Sequence, residues 1–172
     1  DGAALGLELL YVHAPSRNIS VARNACLDAA TARLIAFIDD DEEAAPDWIA
    51  TLLGQSAAGD IVFGVSQARY PDPQTPRWIQ EGDFHSNRVS GNDAPWNGYT
   101  ANVLINRVFT ADHGLRFARE LGQIGGEDTV FFYQAHERGA RFAYAPQAIV
   151  YEDTPPNRAT RAWLIKRRVR CR

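Results

Sequence analysis

The apolar run Leu34–Ile38 passes without a break into five consecutive acids, Asp39–Glu43. "RLIAFI" has the branched, greasy composition of a strand buried in the centre of a parallel sheet. Five carboxylates in a row repel one another, so the strand has to end where water or a cation can reach them. Pro46 and Asp47 follow at once and open a helix through Trp48, Leu52 and Leu53, with proline at a favoured first-turn position. A buried strand, a charged strand end and a helix start describe one α/β unit. In such units ligands bind beyond the carboxyl ends of the strands.

The rest of the chain extends that pattern. "LELLYVH", Leu7 to His13, reads as a further buried strand, and "APSRNIS" as a loop. A helix begins at Ser20, with Val21, Ala25, Cys26 or Leu27, Ala29 and Ala32 at helical spacing and Cys26 as a small apolar filler. Asp60–Tyr70 is the next strand. Residues 71–100 form a long loop region with one short helix near Trp78; loops of that length are usually functional. "ANVLINRVF" is a strand that ends in a turn or short helix. "GGEDTVFFYQAHERG" is a helix opened by two glycines and closed by Gly139. "RFAYAP" and "QAIVYE" read as two short strands, and Pro155–Pro156 precede a basic amphipathic helix over 158–172. The expectation is one α/β domain, residues 1–172, with a mainly parallel, mixed central sheet flanked by helices.

Charge is unevenly spread. Residues 158–172 hold seven of the 18 basic side chains and no acid, which leaves 11 basic against 21 acidic residues in the rest, a net of −10. An acidic body argues against nucleic acid as a partner. The basic tail is either a solvated helix end or a contact for an anionic membrane face. No apolar run approaches the roughly 20 residues that span a bilayer. Cys26 and Cys171 make neither a metal spacing nor a disulfide framework, and the default location is the cytoplasm. The sequence has no methionine and begins in what reads as a loop, which suggests a piece of a longer protein.

Three segments carry chemistry. Asp39 and Asp41 stand at i and i+2, which in an extended segment puts both carboxylates on one side. Such a pair suits Mg²⁺ or Mn²⁺, above all where phosphate oxygens complete the coordination; the plainer alternative is a solvated acidic turn. Glu42 and Glu43 read as acids favoured at a helix N-terminus. In "GGEDT", Glu127 and Asp128 begin a helix, where a carboxylate in a partly dry cleft takes a proton from a hydroxyl or merely caps the helix. Arg158 and Arg161, three residues apart, share a helix face and offer forked contacts to phosphate, or lie solvated on the surface. Arg23-Asn24 is a weaker signal of the same kind. The histidines His13, His85, His113 and His136 have no metal spacing and read as structural or surface residues. No P-loop, G-x-G-x-x-G or nucleophile elbow is present.

The ordered series "VARNACLDAATARLIAFIDDDEEAAPDWIATLL", "TANVLINRVF" and "GGEDTVFFYQAHERGARFAYAPQAIVYEDTPPNRATRAWL" resembles the family 2 glycosyltransferases, inverting enzymes of the GT-A fold. The likeness runs from about Ile19 to Arg172, and residues 66–95 match poorly. It implies that Asp39 and Asp41 are the D-x-D acids, which hold a divalent metal on the diphosphate of a nucleotide sugar, with Asp41 the closer ligand. Asp39 and Asp40, with Arg23, Asn24, Arg158, Arg161 and Trp163, would contact the donor. Asp128 would be the catalytic base and Glu127 would orient the acceptor, beside Trp96, Tyr99, Thr100 and Asn102. Arg158, Arg161 and Trp163 are loosely similar to the Q-x-x-R-W motif of processive synthases, with Arg158 in place of Gln and one extra residue before Trp163. Many relatives carry His where this chain has Glu152. The family's opening strand and base-gripping loop have no counterpart, which implies that this portion lies upstream of Asp1.

The resemblance implies metal-dependent, inverting transfer from a UDP-, GDP- or dTDP-sugar to a glycan or lipid-linked acceptor, in polysaccharide or cell-envelope synthesis, at the inner face of the membrane. The alternatives are a non-catalytic nucleotide- or sugar-binding module, or a sugar-nucleotide pyrophosphorylase.

Overall fold

Among the described residues five strands form one mixed sheet in the order β1-β4-β3-β5-β2. The computed structural model describes residues 6, 8–89 and 96–170; residues 1–5, 7, 90–95, 171 and 172 lie outside them. In chain order the elements are α1 (Ile19–Ala29), β1 (Leu34–Ile38), β2 (Glu42–Ala44), α2 (Trp48–Gly54), β3 (Ile61–Arg69), α3 (Arg77–Gly82), β4 (Asn102–Asn106), α4 (Arg107–Asp112), α5 (Glu127–Glu137), β5 (Phe142–Asp153) and α6 (Arg161–Arg170).

The α/β architecture matches the expectation, and the pairing within the sheet differs from it. Among the described residues only β3 and β5 run parallel; β1–β4, β3–β4 and β2–β5 are antiparallel. Among the described residues β1 pairs with β4 alone and is half-buried, so it is an edge rather than a central strand there. An apolar run reports burial, not which neighbour supplies it. Leu9, Leu10 and Tyr11 are largely exposed and no described strand pairs with them, which corrects the strand expected over Leu7–His13. Glu42 and Glu43 sit in β2, not at a helix start.

Strand alternation builds two cores. Ile35 and Phe37 of β1, Ile61 and Phe63 of β3, and Val103 and Ile105 of β4 face Leu27 of α1 and Phe131, Phe132 and Ala135 of α5. Leu34, Ala36, Val62 and Leu104 face the other way, onto Leu52 and Trp48 of α2. Cys26, expected as filler, is exposed; Leu27 takes the buried place.

The two short strands expected near Pro146 are one, β5. Its register against β3 slips between the pairs Phe63↔Tyr144 and Val65↔Ile149, so Gly64 alone faces residues 145–148. A bulge is where proline, which cannot donate to the ladder, is tolerated. A Cβ on Gly64 would lie 2.5 Å from both Ala148 O and the Asn102 amide, so only glycine admits what Asn102 does there. The buried Asn102 side chain donates to Val65 O (2.9 Å) and Ala148 O (2.8 Å) and accepts from Trp48 Nε1 (2.8 Å). It bolts β4 to β3, β5 and α2.

Asn102→Ala leaves one donor and two carbonyls unpaired in the core, a loss of about 2–4 kcal/mol and roughly 5–15 °C in Tm for a domain of this size. Scanning calorimetry that finds Tm within about 2 °C of wild type would show that the amide is not a structural bolt.

Candidate functional site

The carboxyl end of β1 and the start of α5 converge on one guanidinium, and Thr100, just before β4, joins them through Asp128. Asn18 caps α1 by accepting from Val21 N (3.1 Å), and the helix buries Ser20, Arg23, Asn24 and Leu27. That stripe has helical spacing, but three of its four members are polar. Arg23 Nη1 donates to Glu127 Oε1 and to Asp128 Oδ1, both at 2.7 Å. Its Nη2 stands 3.8 Å from Asp39 Oδ1, and the group lies 5.7 Å over the Phe117 ring. Asn24 donates to Phe117 O and accepts from Phe117 N, both at 2.9 Å, which pins that ring in place. Gly125 and Gly126, at φ +91° and +94°, turn the chain so that Glu127 and Asp128 enter α5 against Arg23. Left-handed backbone of this kind is open to glycine at no steric cost. Gly126 is the N-cap and α5 has no side-chain cap, so Asp128 does not serve as one.

Asp128 is held on both oxygens. Thr100 Oγ1 donates to Oδ1 and Thr100 N donates to Oδ2 at 3.2 Å. Burial pushes its carboxyl above the ordinary range, and Arg23 and Thr100 only partly oppose this. Asp39 is likewise raised, by burial first, with Arg23 pulling down and Asp41, Asp128 and Asp40 pushing up. Asp39 and Asp41 are not in the extended geometry expected of them. Glu42 N donates to Asp39 O (3.2 Å) across a turn, and this turn carries both acids at the strand end.

Glu42 closes the turn and is one of the residues the sequence places wrongly. Its carboxylate accepts from Asp39 N (3.2 Å) and from Ser66 Oγ. Burial pushes its pKa up to about 7 against those hydrogen bonds. The one available signal was Ser66 itself, a polar residue inside the apolar strand β3. Glu43 instead pairs with Arg69 at 2.8 Å.

The remaining candidates fall in other places. Arg158 lies in a turn before α6, not on it, and pairs with Glu152 at 3.1 Å. Trp163 stacks on His85, with centroids 5.1 Å apart. His85 is buried; Nε2 donates to Arg158 O (3.1 Å) and Nδ1 accepts from Tyr70 Oη (2.9 Å) in the neutral tautomer that satisfies both. Burial lowers its pKa, in keeping with that form. Arg161 opens α6 and is exposed. No hydrogen bond or ion pair among the described residues joins these three to the Arg23 cluster. Trp96 is half-buried and stacked on His136 (4.4 Å), so one ring face is taken. Tyr99 is partly exposed, Thr100 is buried on Asp128, and Asn102 is spent on the core.

A divalent cation fits this donor set. Arg23 brings one positive charge against Asp39, Glu127 and Asp128, with Asp41 close enough to bear on Asp39, so the cluster is negative in excess. Glu127 Oε2 is buried without a partner among the described residues. Among the described residues no three His, Cys, Asp or Glu form a ready-made metal cage. A cation that also takes phosphate oxygens needs only one or two carboxylates.

Known proteins resemble this chain in sequence and in fold. The sequence model of glycosyl transferase family 2 matches residues 3–145. The succinoglycan biosynthesis protein ExoM of Rhizobium meliloti (strain 1021) is 45% identical over 166 residues, which is 95% of this chain and 53% of that protein. The chain thus spans about half the length of this curated relative. The crystal structure of S. aureus TarS 1-349 superposes with a TM-score of 0.60 at 16% identity, over 83% of this chain and 42% of TarS. GalNAc-T7 with UDP, GalNAc and Mn²⁺ gives 0.60 at 16% identity, over 84% of this chain and 32% of its own. These two share the fold.

Arg23→Met leaves buried acids without their counter-charge and costs about 3–5 kcal/mol at pH 7. Asp39 and Asp128 have raised pKa values, so their contribution to stability is full below the unfolded value and is lost as pH rises through the folded one. Removing Arg23, which lowers both, moves the folded values higher still. The deficit against wild type therefore narrows toward acid. Urea denaturation at pH 7 and about pH 4.5 checks this, and equal deficits at both would contradict the charge hub.

Proposed function

Because the chain belongs to glycosyl transferase family 2, we propose that it is the catalytic part of a metal-dependent enzyme that moves a sugar from a nucleotide-sugar donor to a hydroxyl of a glycan or lipid-linked acceptor, with inversion, in polysaccharide synthesis. The observation that carries this is Asp128. Its Oδ1 is held by Arg23 and Thr100, while Oδ2 has only the longer contact from Thr100 N. That leaves Oδ2 free to receive a proton, and its raised pKa makes it a better acceptor.

The step is a single displacement. The acceptor oxygen attacks the anomeric carbon, the bond from that carbon to the diphosphate oxygen breaks, and the nucleoside diphosphate leaves with the electron pair. The acceptor proton passes to Asp128 Oδ2. Arg23 keeps Asp128 in place, and Glu127, bound to the same nitrogen, helps orient the acceptor beside Tyr99. A divalent cation held by Asp41 and Asp39 would supply positive charge to the leaving diphosphate. The UDP and Mn²⁺ of GalNAc-T7 and the UDP-GlcNAc bound to TarS make UDP the first nucleotide to test, ahead of GDP and dTDP. ExoM's role in succinoglycan biosynthesis supports a polysaccharide acceptor.

A peripheral contact with the cytoplasmic membrane face belongs to the same reading. Ile165 and Val169 of α6, one turn apart, are 55% and 73% exposed beside exposed Lys166 and Arg167. No described helix is long and apolar enough to cross a membrane.

Calorimetry with UDP should show binding that needs Mn²⁺ and is lost in Asp41→Ala. Asp128→Asn should keep that binding and lose transfer by about 10²–10⁴-fold; wild-type transfer in this variant overturns the assignment. On vesicles containing anionic lipid, Ile165→Ser with Val169→Ser should release the protein, as should high salt; flotation unchanged by either removes the membrane contact.

A further inference from the structure

Beyond the carboxyl ends of the parallel strands β3 and β5 the chain opens into a groove of about 520 Å³, within the size range of ligand sites. The strands stay paired to Arg69↔Asp153. One wall follows β3 and carries Asp72, Gln74, Thr75 and Trp78; the other follows β5 and carries Thr160 and Arg161. We propose that this groove is a second glycan subsite, which holds an inner sugar residue of the acceptor polysaccharide while its terminal hydroxyl meets Asp128. The proposal rests on the transferase reading above.

The chemistry of the walls selects the ligand. Trp78 is 48% exposed, and its ring is steadied edge-on by Phe84 with centroids 5.9 Å apart. An aromatic face of this kind suits the C–H face of a pyranose. Around it stand planar polar groups that the fold leaves free. Asp72 spends one oxygen on Gln74 N (2.9 Å), and neither Asp72 nor Arg161 has an ion pair among the described residues. Their charges cancel, which suits a neutral polyhydroxyl ligand better than a phosphate. The Thr75 hydroxyl has no partner among the described residues although the residue is only 6% exposed, an unusual state for a buried polar atom. Arg161 is fixed at the start of α6, where Thr160 Oγ1 accepts from Trp163 N at 3.2 Å.

Position gives the connection. Asp39 at the end of β1, Thr100 just before β4, and Ser66 with Glu42 all lie toward the same edge of the sheet. From Ser66, β3 runs on to Arg69, about 10 Å at roughly 3.3 Å per residue, and the groove begins beyond it. An extended glycan laid along that edge can reach both places.

The test titrates the full chain with gluco-, galacto- and manno-oligosaccharides of one to six units, followed by tryptophan fluorescence and saturation-transfer NMR, with UDP–Mn²⁺ calorimetry alongside. Wild type should bind at least one hexamer more tightly than its monomer. Trp78→Ala and Thr75→Val should each weaken that binding by about tenfold and leave UDP–Mn²⁺ binding unchanged. Valine fits where the hydroxyl has no partner, so Thr75→Val decides the matter if Trp78→Ala does not fold. Absence of oligosaccharide binding, or wild-type affinity in Thr75→Val, overturns the subsite. If UDP–Mn²⁺ binding and Asp128-dependent transfer persist in that case, the groove alone is lost; if they too are missing in wild type, the transferase reading has failed.

Discussion

One buried arginine organises this domain. Arg23 is 7% exposed, and a guanidinium so far from water is tolerable only when carboxylates surround it. Glu127 and Asp128 answer it from α5, and Asp39 answers from the end of β1. The three elements that make the site are therefore tied by charge rather than by apolar packing alone. The same arrangement sets the electrostatics. Three acids on one cation leave negative charge over, and burial raises two of the three carboxyls, so the place that holds the fold together is also the place proposed to hold a cation and accept a proton.

The sheet supplies the frame for that hub. β3 and β5 run parallel and bring their carboxyl ends to one edge, and β1 ends on the same edge because two antiparallel pairings, through β4, restore its direction. The bulge opposite Gly64 admits the Asn102 amide, which locks four elements together beneath the site. Asn24 does the same on the other face by gripping Phe117 under Arg23.

Much of this was readable from local pattern. The β1 run, the Pro46–Asp47 helix start, strand Asp60–Tyr70 and the two glycines before Glu127 each depend on short-range chemistry, and each lies about where expected. Failures came where a property depends on a distant neighbour. Leu9 to Tyr11 are as apolar as any strand but have no described partner. Glu42 looked like a helix acid and became a strand residue because Glu152 of β5 pairs with it. Arg23 and Asn24 looked like a weak phosphate signal; with Ser20 and Leu27 they form the buried face of α1, a stripe that hydrophobic periodicity passes over because it is mostly polar.

By itself the sequence determined most of the strands and helices, where the acids cluster, and which family they resemble, because backbone preference, side-chain period and motif order are local properties. Tertiary structure alone decided which acids share a counter-charge, which asparagine belongs to the core, and that Trp78 and Arg161, more than eighty residues apart, line one groove. Burial, ion pairing and shifted pKa values arise from neighbours in space, and only the folded chain selects them.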